Sequence, residues 1–331
     1  MKRKPPETRQ TGQCTCQAKL KGKKNCFHSL TSPTKLKGDP QMRKLMLFST
    51  LLMSALVFTS GAMAADTLKK ISDSGEFIVG ARDGAIPFGF HNAENEHVGF
   101  SIDLAKEFHK ALEEKLGKKL EFKVMVVNPK TRIPLVANGN LNMVTGAATH
   151  TVPREDTVDF SLTFFLTGSQ LLVEKSGNYS SAKDLSGKKI GAAQGSTNEK
   201  AIRDLNDSGF FNPPVKMVIY QEHTQGMLAL NNGVINAYCG DGIHLAGMKS
   251  KAKNPDDYII IGEMLSYDPY GFILPENDSN FRDFINEHLI RMFVDGRYMT
   301  YYENWFGVNG VVPYPMTDDF KTLIKLQSWP L

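Results

Sequence analysis

Apolar residues in this chain follow two spacings, every second position over short runs and every third or fourth over longer ones. Glu76 to Ala81 predicts a strand through Phe77, Ile78 and Val79. Ser101 to Leu116 predicts a helix with Ile102, Ala105, Phe108, Leu112 and Leu116 on one face, ended by Gly117. Strand patterns return at Leu120 to Val127 and Leu141 to Thr145, separated by a short helix from Lys130 to Ala137 that Asn138-Gly139 closes. Alternating strands and helices imply parallel pairing through right-handed crossovers.

A second series follows. Ser169 to Glu174, Lys188 to Ala193, Val215 to Tyr220, Ile235 to Cys239 and Tyr258 to Ile261 read as strands, with helices at Ser196 to Asn206, Thr224 to Asn232 and Ile243 to Lys253. Gly271 to Leu274 is a further apolar run, and helices at Ser279 to Val294 and Arg297 to Phe306 follow it. Two α/β units of similar order, joined by extended runs near Thr163 to Gly168 and Leu265 to Tyr270, predict two lobes with two crossings. Residues 65–166 and 269–331 would form one lobe and 167–268 the other, with the apolar helix from Ser279 returning to the first.

The stretch Asn142 to Asp156 organises this picture. Met143 and Val144 give way to Gly146-Ala147-Ala148, then Thr149 and Thr151, then Pro153 and an acidic pair, which predicts a strand ending in a turn that opens a helix. Free N–H groups at such a helix start suit a small anion. Arg154 falls in the first turn, where the helix dipole disfavours a cation, so either Glu155 and Asp156 neutralise it or it reaches outward to an anionic ligand.

Charge changes its meaning once the N-terminal region is read. Met42-Arg43-Lys44, the charge-free run Leu45 to Phe58 and Ala62-Met63-Ala64 have the order of a secretory signal peptide spanning 42–64, so the mature chain is expected to begin at Ala65. The residue after the cut is not cysteine, so no lipid anchor is indicated. Residues 1–41, rich in Lys, Pro and Thr, are expected to be an unstructured extension upstream of a true start at Met42, and Cys14-x-Cys16 with Cys26 and His28 fits no closed zinc pattern. Of 39 Lys and Arg and 35 Asp and Glu, 12 and 2 precede Ala65, leaving a mature chain of net charge −6. No nucleic-acid footprint remains. Cys239 is the single mature cysteine, expected to be a small buried residue rather than half of a disulfide.

Polar residues gather at the strand ends: Arg82-Asp83, Asn128 to Arg132, Thr149 to Arg154, Gly195-Ser196-Thr197-Asn198-Glu199 with the spacing of a capping box, His223 and Asp241. Open α/β sheets bind ligands at such ends. Three arginines, an aspartate, a histidine and several hydroxyls make an inventory for a zwitterion with an additional acid group. Each residue alone also has a plainer reading: Arg82 paired with Asp83, Arg132 solvated, His223 on the surface or capping a helix, Asp241 a cap with Gly242. Hydrolase, zincin, Walker and dinucleotide motifs are absent from the sequence.

Nearly all of the mature chain resembles the solute-binding proteins of polar amino-acid ABC importers, family 3, and most closely their glutamate/aspartate-binding branch. The resemblance is carried by Ile78-Val79-Gly80-x-Arg82, Gly99-Phe100-Ser101-Ile102-Asp103-Leu104, Thr131-Arg132-Ile133-Pro134-Leu135, Gly146-x-x-Thr149-x-x-Val152-x-Arg154, Asp159-Phe160-Ser161, Asp184-Leu185-x-Gly187-Lys188, Gly195-Ser196-Thr197-x-Glu199 and Tyr270-Gly271. It implies a type II periplasmic binding-protein fold of two α/β lobes, each a mainly parallel sheet flanked by helices. It further implies that Arg154 and Thr149 hold a ligand α-carboxylate, and that Asp241 and a carbonyl near Gly146 take the α-ammonium. Arg82, Arg132 and His223 would grip a side-chain carboxylate, with Thr197 contributing from the second lobe. Ala147 stands where the acidic-ligand branch carries serine, which reshapes recognition by about 1 kcal/mol and is expected to widen the pocket toward glutamate.

The expected role is therefore capture without chemistry. A monomeric periplasmic protein, without cofactor or metal, binds L-glutamate or L-aspartate and delivers it to ABC permease subunits. The same fold also serves cyclohexadienyl dehydratases, for which Asp241, His223 or Glu199 would be the acid–base candidates. The remaining alternatives are a binding protein for another polar amino acid and a sensor or ionotropic-receptor module, which would need a transmembrane segment or output domain.

Overall fold

The computed structural model describes residues 66–330; the expected signal peptide and the extension before it lie outside them. The described chain opens with helix α1 (Thr67–Ser74) and strand β1 (Glu76–Ala81), then the short strands β2 (Gly84–Ala85), β3 (Gly89–His91) and β4 (His97–Val98). Helix α2 (Phe100–Leu116), strand β5 (Glu121–Val126), helix α3 (Arg132–Ala137), strand β6 (Met143–Val144), the single turn α4 (Val152–Glu155) and strand β7 (Val158–Phe160) complete the first passage. Strand β8 (Phe165–Thr167) leads to β9 (Ser169–Glu174), β10 (Lys189–Ala193), helix α5 (Thr197–Asp207), β11 (Lys216–Tyr220), α6 (His223–Asn231), β12 (Ala237–Asp241), α7 (Gly242–Ser250) and β13 (Tyr258–Ile261). Strand β14 (Asp268–Tyr270) returns the chain to β15 (Ile273–Pro275), α8 (Ser279–Val294), α9 (Arg297–Phe306) and α10 (Asp318–Gln327).

Two five-stranded sheets result, ordered β5-β1-β6-β15-β7 and β11-β10-β12-β9-β13. In the first, β1 is parallel to β5 and β6, while β15 lies antiparallel to β6 and β7. In the second, β10 is parallel to β11 and β12, while β9 lies antiparallel to β12 and β13. Four strands of each sheet thus point one way and one opposes them. The opposing strands, β9 and β15, are those that follow directly on the crossings and so enter their sheets from the other end. The crossings themselves, β8 and β14, pair antiparallel as a two-stranded ribbon, Thr167 opposite Asp268 and Phe165 opposite Tyr270. This is the type II two-lobed architecture, with both sheets presenting strand ends to a common cleft.

Helices α2, α8, α9 and α10 pack on the first sheet around an aromatic core of Phe88, Phe100, Phe108, Phe164, Phe165 and Tyr270, all fully buried. Phe88 meets Phe165 edge-on at 4.9 Å and Phe164 stacks on Phe272 at 4.2 Å, geometries that add to the burial term. The second lobe has separate cores on its two sheet faces, one around Leu171, Ile190 and Cys239 and one around Leu172, Leu230 and Tyr238.

Gly99 starts α2 with φ at +147°, and a Cβ there would stand 2.0 Å from the Phe88 carbonyl oxygen. Gly99→Ala is therefore expected to lose at least about 2 kcal/mol, since backbone rather than a flexible side chain must move. An unchanged denaturant midpoint in that variant would contradict this account of the turn.

Several short elements depart from the sequence pattern. Leu141 to Thr145 narrows to the two residues of β6, and the helix expected after Thr151 is one four-residue turn without a side-chain cap. Such a turn sums too few peptide dipoles to hold an anion by itself.

Candidate functional site

Arg82 leaves the carboxyl end of β1 and crosses the cleft. Its Nη2 lies 2.8 Å from Glu222 Oε2, and its Nη1 donates to His223 Nε2 at 3.1 Å. A guanidinium only donates, so His223 Nε2 accepts and Nδ1–H faces the Tyr238 hydroxyl at 2.8 Å. Burial first, then the charge of Arg82, holds this imidazole well below its ordinary pKa, which keeps it neutral. His223 is the first residue of α6, whose N-cap is Glu222. Neither the Glu222 pair nor this use of both ring nitrogens follows from a local sequence pattern.

Arg132 starts α3 and is only 3% exposed. Its Nη1 donates to the Ala147 carbonyl at 2.6 Å, and its Nε has no partner among the described residues. No carboxylate pairs with it among those residues. Burial, then repulsion by Arg154 and Arg82, pushes its pKa well below the arginine range, with Tyr270 and Asp241 acting in the opposite direction. Ala147 packs its methyl into the first-lobe core and offers its carbonyl to Arg132.

Arg154 projects from the one-turn helix. Nη1 donates to the Thr149 carbonyl at 2.6 Å and Nη2 to the Gly195 carbonyl at 3.4 Å, across to the second lobe. Glu155 is engaged by His150 at 2.6 Å, so the plain reading of Arg154 as a local ion pair fails. Thr149 and Thr197 hydroxyls meet at 3.2 Å, another bridge between lobes. Gly146, at the end of β6 with φ of +124°, turns the chain so that Ala147 and Thr149 present carbonyls to the two arginines.

Asp241 closes β12 and caps no helix through its side chain. Its Oδ1 accepts from Asn198 Nδ2 at 2.6 Å and its Oδ2 from the Tyr270 hydroxyl, which reaches over from the ribbon. Burial raises its pKa, opposed by these two bonds. Asp268, on the same ribbon, is also raised, by burial and then by Asp241. The capping box holds in altered form: Ser196 accepts from the Glu199 N–H at 3.1 Å, but Glu199 reaches back to the N–H of Gly195 rather than Ser196.

The eight expected residues thus stand at strand ends, or in the turns beside them, and contacts such as Arg82–His223, Thr149–Thr197 and Arg154–Gly195 link the two lobes there. Glu222, Asn198, Tyr238, Asp268 and Tyr270 join them; Asn198 falls within the capping-box stretch and Tyr270 within Tyr270-Gly271, while no local motif marks Glu222, Tyr238 or Asp268. Facing strand ends lined with paired and unpaired charges, on two lobes joined by a double crossing, define a type II solute-binding protein.

Residues 77–308 match the family of bacterial extracellular solute-binding proteins, family 3, and the chain belongs to that family. The glutamate/aspartate import solute-binding protein of Salmonella typhimurium is 30% identical over 86% of this chain and 97% of its own length. The ABC transporter glutamine-binding protein of Bacillus subtilis is 33% identical over 72% and 84% respectively. Among solved structures, an ancestral arginine-binding protein bound to glutamine superposes with a TM-score of 0.62 at 33% identity, covering 70% of this chain and 98% of that one. The chain is the substrate-binding component of an amino-acid ABC importer. No helix among the described residues is long and apolar enough to cross a membrane.

Proposed function

We propose that this protein is a periplasmic receptor for L-glutamate and L-aspartate, exported through the signal peptide at 42–64. It works as a monomer made of lobes 65–166 with 269–331 and 167–268. Arg132 carries the reading. A buried guanidinium with a carbonyl but no carboxylate beside it, repelled by Arg154 and Arg82, is a site for more negative charge than an α-carboxylate supplies. Arg154 and Thr149 take the α-carboxylate, Asp241 and the carbonyl near Gly146 the α-ammonium, and Arg132 with Arg82 the side-chain acid. Thr197 contributes from the second lobe, and His223 positions Arg82. The Salmonella relative's named ligands support the same choice.

Function here is binding rather than catalysis. The acid–base candidates are occupied: His223 by Arg82 and Tyr238, Asp241 by Asn198 and Tyr270, Glu199 by Gly195 and Arg203. A ligand touching both lobes favours the closed form and shifts a hinge equilibrium toward it, and the closed surface is what the permease reads.

One observation favours an amide ligand such as glutamine instead: Glu222 already neutralises Arg82 at 2.8 Å. Calorimetric competition decides. Glutamate and aspartate should bind more than about a hundredfold more tightly than glutamine or asparagine, because an amide leaves Arg132 unpaired in a closed cleft. Displacement of glutamate by an equal concentration of glutamine would overturn the acidic reading and leave the amino-acid receptor intact.

A further inference from the structure

Next to the Arg82 strand end, the small sheet β2-β3-β4 brings together residues that the proposed amino-acid site does not use. His91 and His97 are register partners on adjacent antiparallel strands, so their side chains leave the same face, and their ring centroids stand 4.8 Å apart. Asp83 joins them from the turn after β1. Its Oδ1 lies 3.2 Å from His91 Nδ1 and 3.8 Å from His97 Nδ1. We propose that Asp83, His91 and His97 form a binding site for a divalent transition-metal ion of the zinc type.

Three observations support the assignment. First, one donor atom from each residue falls within 4.8 Å of the others. Ligands bonded to zinc at about 2.0–2.2 Å stand about 3.4 Å apart, so the cluster closes on an ion with side-chain shifts of about 1 Å. Second, His97 is already oriented as a ligand. Its Nε2 is 3.0 Å from the Arg82 carbonyl oxygen, which can only accept, so the neutral ring carries its hydrogen on Nε2 and its lone pair on Nδ1, toward Asp83. Metal-bound histidines are commonly held by this kind of bond from the other ring nitrogen to a carbonyl. Third, the loop between the strands is tied at its base. The Glu96 N–H donates to Asn92 Oδ1 at 2.7 Å and the Asn92 N–H to the Glu96 carbonyl at 3.0 Å, which fixes the two imidazoles relative to each other before any ion arrives.

Two imidazoles and one carboxylate suit zinc, nickel or copper(II) rather than calcium or magnesium, which prefer all-oxygen shells. The His91 and Asp83 side chains are 36% and 42% exposed, so solvent can enter and supply the remaining ligand. An ion here would anchor the small sheet to the Arg82 carbonyl, one residue from Asp83.

The test uses the full chain and zinc chloride alone, without amino acid, so its result is independent of which amino acid the cleft holds. Calorimetric titration should show a site that His91→Ala and Asp83→Asn each weaken at least about tenfold. Both residues are exposed and neither packs in a core, and circular dichroism checks that the variants stay folded. Cobalt(II) titrated in place of zinc should give ligand-field bands without the thiolate charge-transfer band that Cys14, Cys16 or Cys26 would produce. Zinc binding unchanged in both variants, absence of zinc binding in the wild type, or a cobalt spectrum dominated by thiolate would each overturn the proposal.

Discussion

Arg154→Ala and Asp241→Asn should each weaken amino-acid binding by about 2–5 kcal/mol, enough to remove it from the working range of a calorimeter. The size follows from the closed cleft. Arg154 spans from the Thr149 carbonyl to the Gly195 carbonyl of the opposite lobe, so a ligand carboxylate held by it would lie between the two lobes. Deleting the guanidinium leaves the carboxylate buried without a counter-charge. For Asp241 the asparagine variant is the sharper probe, because it keeps the size of the side chain and one of its two bonds to Asn198 and Tyr270 while removing the charge that the α-ammonium needs. Arg154→Lys should fall between wild type and alanine, since an ammonium keeps the charge but not the forked donor geometry. Near-normal affinity in Arg154→Ala or Asp241→Asn, with an unchanged melting temperature, would remove those residues from the site.

Arg132→Met is expected to move two quantities in opposite directions. Without its guanidinium the protein should lose most of its preference for glutamate over glutamine, about 3 kcal/mol or more than a hundredfold. The unliganded protein, by contrast, should become more stable by about 1–2 kcal/mol. A buried cation repelled by Arg154 and Arg82 is replaced by an apolar side chain of similar length, and the gain is only partly offset by the Ala147 carbonyl losing its donor. Denaturant unfolding without ligand and competition calorimetry measure the two effects separately. A variant that is less stable and equally selective would show that Arg132 is a structural residue satisfied by its carbonyl contact.

How much of this was legible beforehand depended on whether the information was local. β1, β9, β13, α8 and α9 lie where the sequence pattern put them, to the residue, because the two helices show a one-sided apolar period and the three strands are short apolar runs bounded by polar or turn residues. The strands β2 to β4 are two or three residues long, too short for any period to appear, and β14 contains Pro269, which argues against a strand until its ribbon partner is seen. The same divide runs through the cleft. Arg82, Arg132, Arg154 and Asp241 stood out as charges at strand ends. The Arg82–Glu222 pair, separated by 140 residues, and the His91–His97 register are products of tertiary pairing that no stretch of sequence announces.

The last described helix has a consequence for how the two lobes move. The Gln327 side chain in α10 accepts the Thr163 N–H at 3.0 Å and donates to the Thr163 carbonyl at 2.7 Å, the pair of bonds a neighbouring strand would make. Thr163 stands two residues before β8, and Phe320 of the same helix lies against Phe165 at 5.5 Å between ring centroids. The helix is a clasp on the root of one crossing strand. With that root clasped, the three residue pairs of the ribbon are where rotation between the lobes would concentrate. Tyr270, on the ribbon itself, donates to Asp241 in the other lobe, so the ribbon is tied directly to the proposed seat of the ammonium group.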